Sequence, residues 1–202
     1  MIANRQPEGW RVDALGAPHI GERSEAKLIS DFIEKIGELL PRLVTFNGHR
    51  FDLPVLRYRA MVNRVSAGGL QVRQYFHRYT DDALDLCDAL GSYVPAAKVK
   101  LDEISKILGL PGKPGGIDGS RVEEMVLAGQ VEEVARYCES DVVNTYRVWL
   151  VYELFRGSIT TKELNWSEGQ VRDFVLNRKM ANPHLCEAMG IRESGRVAPN
   201  SL

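Results

Sequence analysis

The sequence predicts a mixed α/β or α+β chain, and three observations carry that prediction. Short β-prone runs, "WRVDAL" at 10–15 and "LVTF" at 43–46, stand between longer stretches whose apolar residues recur at helical spacing. Gly- and Pro-containing segments separate them, as turns require. At 202 residues the chain is long enough to bury a sizeable core, and it contains no internal repeat.

Taken in order, "WRVDAL" reads as a strand that ends at Gly16 and Pro18. "SEAKLISDFIEKIGELL" follows as a helix, with Ser24 as N-cap, Leu28, Phe32, Ile36 and Leu39 or Leu40 at helical spacing, and Pro41 as its stop. "LVTF" is a short buried strand broken by Asn47-Gly48, and Asp52 falls at or just before a helix over 53–64 whose first turn suits Pro54. "ALDLCDAL" fits either a strand or a helical turn, and its composition leans to strand. "LDEISKILGL" is an amphipathic helix closed by Gly109 and Pro111, and "LPGKPGGIDGS" is a connector. Helices over 120–128, 131–155 and 167–180 follow, then a polar tail expected to fray.

Composition narrows the function classes. A formal net charge of -1 and a charged fraction of 26% give no global sign of a polyanion partner, so any nucleic-acid site must be local. The three cysteines, Cys87, Cys138 and Cys186, are widely spaced and odd in number, which suits a reduced, cytoplasmic setting and buried small hydrophobes better than a disulfide framework. The N-terminus lacks the apolar core of a signal peptide, and the most apolar run, "VVNTYRVWLVYELF", is interrupted by Asn144, Arg147 and Glu153, so no membrane association is expected.

Two carboxylates stand out. In "ARYCESDVVNTY", Tyr137 and Asp141 are four residues apart and so share a helix face. Alone, that pair reads first as a solvated acid beside an ordinary tyrosine, since short motif matches arise easily by chance. Asp52 follows a strand end, where α/β folds build their sites. Around it, residues 42–78 hold seven arginines and a single acid, with Phe46, Phe51, Tyr58, Tyr75, Phe76 and Tyr79 interleaved. Such a mixture neutralises phosphates and stacks bases, or else solvates a helix face over core aromatics.

These segments resemble a known family. "TFNGHRFDLPVLRYRA" is similar to the second motif, Asn-x-x-x-Phe/Tyr-Asp, and "YCESD" to the third, Tyr-x-x-x-Asp, of 3′-5′ exonucleases with four acidic residues and a tyrosine. The closest likeness is to predicted exonucleases related to the proofreading domain of family B DNA polymerases, and the connecting segments agree in order and character over residues 10–160. The resemblance implies a ribonuclease H-like fold, a mixed sheet flanked by helices, truncated at its N-terminus. It implies a domain over 1–160 followed by a helical extension over 161–202. Asp52 and Asp141 match metal ligands, with Mg²⁺ or Mn²⁺ in a two-metal site as cofactor. Tyr137 matches the residue that orients the attacking water. Asn47 and Phe51 match substrate-side positions, Arg50 and Arg57 of the basic stretch are candidates to bind the strand beside them, and Asp85 matches a recurrent family acid. The expected partner is the 3′ end of a single-stranded DNA or RNA.

The family's first motif, Asp-x-Glu, is found nowhere in the chain. Asp13, Glu22 and Asp31 do not form the required pair. An internal start at Met1 is the favoured expectation, and a shortened form without catalysis is the other. Asp52 and Asp141 alone would repel each other and hold metal weakly. Missing strands would leave an open sheet edge, a route to a homo-oligomer. Three functions are therefore weighed: a metal-dependent exonuclease domain, a non-catalytic module that binds single strands, and a structural fragment. "GLPGKPGG" lacks phosphate-loop spacing, "NPHLC" lacks a second ligand pair for zinc, and His49 is expected to be solvated.

Overall fold

A computed structural model describes residues 1–17, 23–112 and 119–191. The Gly/Pro connector over 113–118 and the tail beyond 191, for which a loop and fraying were expected, lie outside the described residues. The architecture is mixed α/β with two small sheets. Strands β1 (Ile2–Gln6) and β2 (Gly9–Ala14) form an antiparallel hairpin. Strands β3 (Leu43–Thr45) and β4 (Ala83–Asp85) pair in parallel. The continuous mixed sheet implied by the resemblance is thus two separate pairs among the described residues.

The parallel pair divides the interior. Side chains alternate across a strand, and here Ala83 joins a core with Ile29, Ile33, Ile36, Leu53, Leu70 and Tyr75. Its neighbour Leu84 joins the other core, with Val12, Leu86, Tyr146, Val148, Trp149, Leu150, Val171 and Phe174. Leu43 and Val44 on β3 split the same way. The first core is covered by α1 (Glu25–Leu39) and α2 (Asp52–Val62), and the second by the long α6 (Val131–Phe155) and by α7 (Thr161–Leu176). Helix α3 (Leu86–Leu90) packs against β3 and β4, and α4 (Leu101–Ile107), α5 (Val122–Leu127) and α8 (Pro183–Ala188) pack against α6.

Several local expectations hold. Ser24 caps α1, its side chain accepting from the Lys27 N–H at 3.2 Å, and the long helix spans the expected 131–155. Other expectations are corrected. The buried face of α1 is Ile29, Ile33 and Ile36, whereas Phe32, Leu39 and Leu40 face solvent. Both sets have helical spacing, and contact with the turn at Gly68–Leu70 selects the first. "ALDLCDAL" is half strand and half helix, because the Asp85 side chain accepts from the Cys87 N–H at 3.0 Å and starts α3. The helix expected over 167–180 begins at Thr161, where Thr160 and Glu163 form a reciprocal cap. The Thr-x-x-Glu spacing was the available signal.

Strand β2 falls where "WRVDAL" predicts a strand, whereas its partner β1 is not legible in the sequence, since "IANRQ" is mostly exposed and lacks a clean alternation. The hairpin docks on α7 through Gly9, where a Cβ would sit 2.6 Å from Ser167 Oγ and 2.7 Å from the Glu163 carbonyl. The Trp10 N–H donates to that same Ser167 Oγ at 2.9 Å. Cys87 and Cys186 are buried, and Cys138 is exposed. Among the described residues no helix is long and apolar enough to cross a membrane.

Candidate active site

The site is built on the loop between β3 and α2. Asn47 takes a left-handed backbone with φ of 67°, a conformation Asn tolerates better than most residues. Its carbonyl accepts from the N–H groups of Arg50 (3.2 Å) and Phe51 (3.1 Å), and the Gly48 carbonyl accepts from Leu53 at 2.9 Å. The chain therefore winds directly into α2. A Cβ on Gly48 would meet Thr45 Oγ1 at 2.4 Å and Cγ2 at 2.7 Å, so glycine lets the loop fold back over the end of β3. The result is Asp52 in the first turn of α2, as expected from the sequence.

Asp85 holds this loop from below. Its carboxylate accepts from the backbone N–H of Asn47 (2.7 Å), of His49 (3.0 Å) and of Cys87 (3.0 Å), and the residue is only 3% exposed. One buried carboxylate thus satisfies three backbone donors and ties the loop to the start of α3. Its neighbour Asp88, with a fully buried side chain, is gripped by Arg78 through Nε at 2.7 Å and Nη2 at 2.8 Å and by Lys98 Nζ at 3.1 Å. Arg78 above all, then Lys98, holds its carboxyl down at about 2. Lys98 also donates to Asn47 Oδ1 at 3.0 Å.

Asp52 has the opposite environment. It has no cationic partner among the described residues, and its carboxyl is pushed above the ordinary value. Loss of surrounding water is the largest cause. Its own backbone N–H offsets part of that, and the negative charge of Asp85 adds to the rise. The residue is exposed at the helix head, and a carboxylate that faces another acid with no cation beside it is one that a cation would stabilise. Asp52 thereby suits a hard divalent cation through its oxygen donors.

His49 is corrected from solvated to buried, with a side chain 6% exposed, Nδ1 3.9 Å from Asp85 Oδ2, and neither ring nitrogen hydrogen-bonded. His49, Asp85 and Asp88 bring ligand-type atoms within 4.8 Å of one another. A cation there would meet carboxylates already engaged by three backbone N–H groups, by Arg78 and by Lys98. It would compete with those donors for the two carboxylates, which already tie the loop, Arg78 and Lys98 together.

Tyr137 and Asp141 stand one turn apart on α6, both half-buried. The helix packs against β3, the strand that feeds the Asn47 loop. The Tyr137 hydroxyl approaches Gly119, lying 3.7 Å from where a Cβ would be. Asn47, Arg50, Phe51 and Asp52 lie on one loop and helix head, and Tyr137 and Asp141 lie on a second element, α6. Asp13 is bound to Arg11 and Asn4, and Asp31 to Lys27. Glu22 lies outside the described residues. His184 pairs with Glu139 at 2.6 Å.

The basic stretch is smaller than its composition suggests. Arg42 pairs with Glu153 and Asp81, Arg59 with Glu25, Arg73 with Asp82, and Arg78 with Asp88. Arg57 lies over the Phe76 ring at 4.1 Å. Arg50 and Arg64 have no ion pair among the described residues. Tyr75 is core, whereas Phe51, Tyr58 and Tyr79 are 60% or more exposed. What remains at the surface is a short set of aromatic faces with a few cations.

Comparison with known proteins gives one finding. A family model described as a predicted 3′-5′ exonuclease related to the exonuclease domain of PolB matches residues 1–189. No curated protein and no solved structure matches the chain.

Proposed function

Because the chain belongs to the family of predicted 3′-5′ exonucleases related to the PolB exonuclease domain, we propose that it is a metal-dependent domain of ribonuclease H-like type that removes nucleotides from the 3′ end of a single strand. The observation that carries this reading is the placement of Asp52, an exposed carboxylate in the first turn of α2 with an acid, Asp85, acting on it and no cationic partner among the described residues. In this reading Asp52 and Asp141 hold Mg²⁺ or Mn²⁺. A bound divalent cation supplies Lewis-acid stabilisation of charge on phosphodiester oxygens. Tyr137 orients the attacking water, and Asn47, Phe51, Arg50 and Arg57 face the strand. Exposed Phe51 beside Arg50 supports base stacking next to phosphate contact.

The same surface supports a second reading, a module that binds single strands without cutting them. Release of label from a 3′-labelled single-stranded oligonucleotide decides between them. The parent chain with Mn²⁺ is expected to release label, and Asp141→Asn to release none. Label release that persists in Asp141→Asn sinks the metal-ligand assignment, and binding without release by the parent favours the second reading.

A further inference from the structure

Lys98 belongs to neither exonuclease motif, yet it touches the substrate-side loop. Its Nζ bridges Asn47 Oδ1 at 3.0 Å and Asp88 Oδ1 at 3.1 Å, with a side chain 18% exposed. A lysine ammonium donates and never accepts. The contact therefore decides which end of the Asn47 amide it meets: the oxygen faces Lys98, and the NH₂ group faces away from it. That NH₂ has no protein acceptor among the described residues. The Asn47 backbone is independently fixed, since its N–H donates to Asp85 and its carbonyl caps the turn into α2. Asp88 in turn keeps Lys98 in place and is itself locked by two bonds from Arg78.

We propose that Lys98 is a positioning residue that sets the Asn47 amide so that its two N–H donors are presented to an acceptor oxygen of the nucleic-acid strand. This deepens the reading of the site as a strand-binding one and rests on it. Two further consequences follow from the chemistry. Arginine at 98 also only donates and preserves the amide orientation. Aspartate at 47 keeps the bond to Lys98 but loses the N–H donors.

The test is a double-mutant cycle in binding, free of any cleavage step. A 5′-fluorescein-labelled single-stranded oligonucleotide is titrated in EDTA with the parent, Lys98→Met, Asn47→Ala and the double variant, and with Lys98→Arg and Asn47→Asp. Losing the oriented donors is expected to weaken binding roughly three- to tenfold in Lys98→Met, Asn47→Ala and Asn47→Asp alike. The double variant is expected to match Asn47→Ala, and Lys98→Arg to match the parent. The side-chain amide resonances of Asn47, assigned by their absence in Asn47→Ala, are expected to shift in Lys98→Met and to hold in Lys98→Arg. A further loss on adding Lys98→Met to Asn47→Ala would show that Lys98 contacts the strand itself and overturn the proposal. So would unmoved amide resonances, or a parent chain that binds no oligonucleotide. A parent chain that binds but never cleaves removes the exonuclease reading and leaves this cycle to decide the role of Lys98.

Discussion

Asp52→Asn is expected to abolish metal-dependent nucleotide release while leaving the fold as stable as the parent or more so. The two effects have one cause. Asp52 is a carboxylate whose ionised form is disfavoured by its surroundings, first by loss of water and then by Asp85. Its folded-state value lies above the ordinary one, so above that range the charged group opposes folding. An amide of the same shape removes that opposition but is a far poorer ligand for a hard cation. Losing a cation ligand worth several kcal/mol in the transition state corresponds to a fall in rate of about a thousandfold or more. Label release and thermal melting of the same two proteins check both halves. A variant that loses activity and also melts well below the parent would place Asp52 among structural residues.

Asp88→Ala is expected to act the other way, with a large loss of stability. The substitution strands Arg78 and Lys98, whose charges now converge on a buried carboxylate. Breaking a buried ion pair from one side costs about 3–5 kcal/mol, and for a chain of this size that corresponds to a melting point lower by roughly 6–20 °C. The pH dependence follows with a definite sign. The Asp88 carboxyl is held at about 2, below its ordinary value of 3.8. Its contribution, about 2 kcal/mol, is fully present above the ordinary value and is lost as pH falls through about 2. Parent and variant are therefore expected to differ most at pH 5 and above, with the gap narrowing steadily towards pH 2. Denaturant midpoints at several pH values measure this, and a gap independent of pH would contradict it.

Much of the local structure is legible in the sequence because its causes are local. Ser24 lies at a helix start, Asn47-Gly48 breaks a strand, and the long amphipathic run from Val131 to Phe155 is one helix. The placement of Asp52 in the first turn of α2 follows from the same punctuation. What could not be read is set by long-range pairing. Arg42 meets Glu153 and Arg59 meets Glu25 across the fold, so a stretch that looks strongly basic is largely neutralised. His49 looks like a solvated loop residue until Asp85, 36 positions on, draws the loop inward. Asp85 and Asp88 sit in one short apolar segment, yet one anchors backbone N–H groups and the other two cations. The distant residues that reach each one decide that difference, the Asn47 loop for Asp85 and the Arg78 and Lys98 side chains for Asp88. Lys98 reaches the site for the same reason, through an aspartate ten residues before it.

The measurement that bears most directly on the central claim is the product pattern from a 5′-labelled single-stranded oligonucleotide incubated with this chain and Mn²⁺. The expected result is a ladder of labelled products that shortens one nucleotide at a time from the 3′ end, absent with Asp52→Asn and with EDTA. An oligonucleotide that stays intact, or one cut internally without stepwise shortening, would contradict the assignment of 3′-5′ exonuclease activity to this chain.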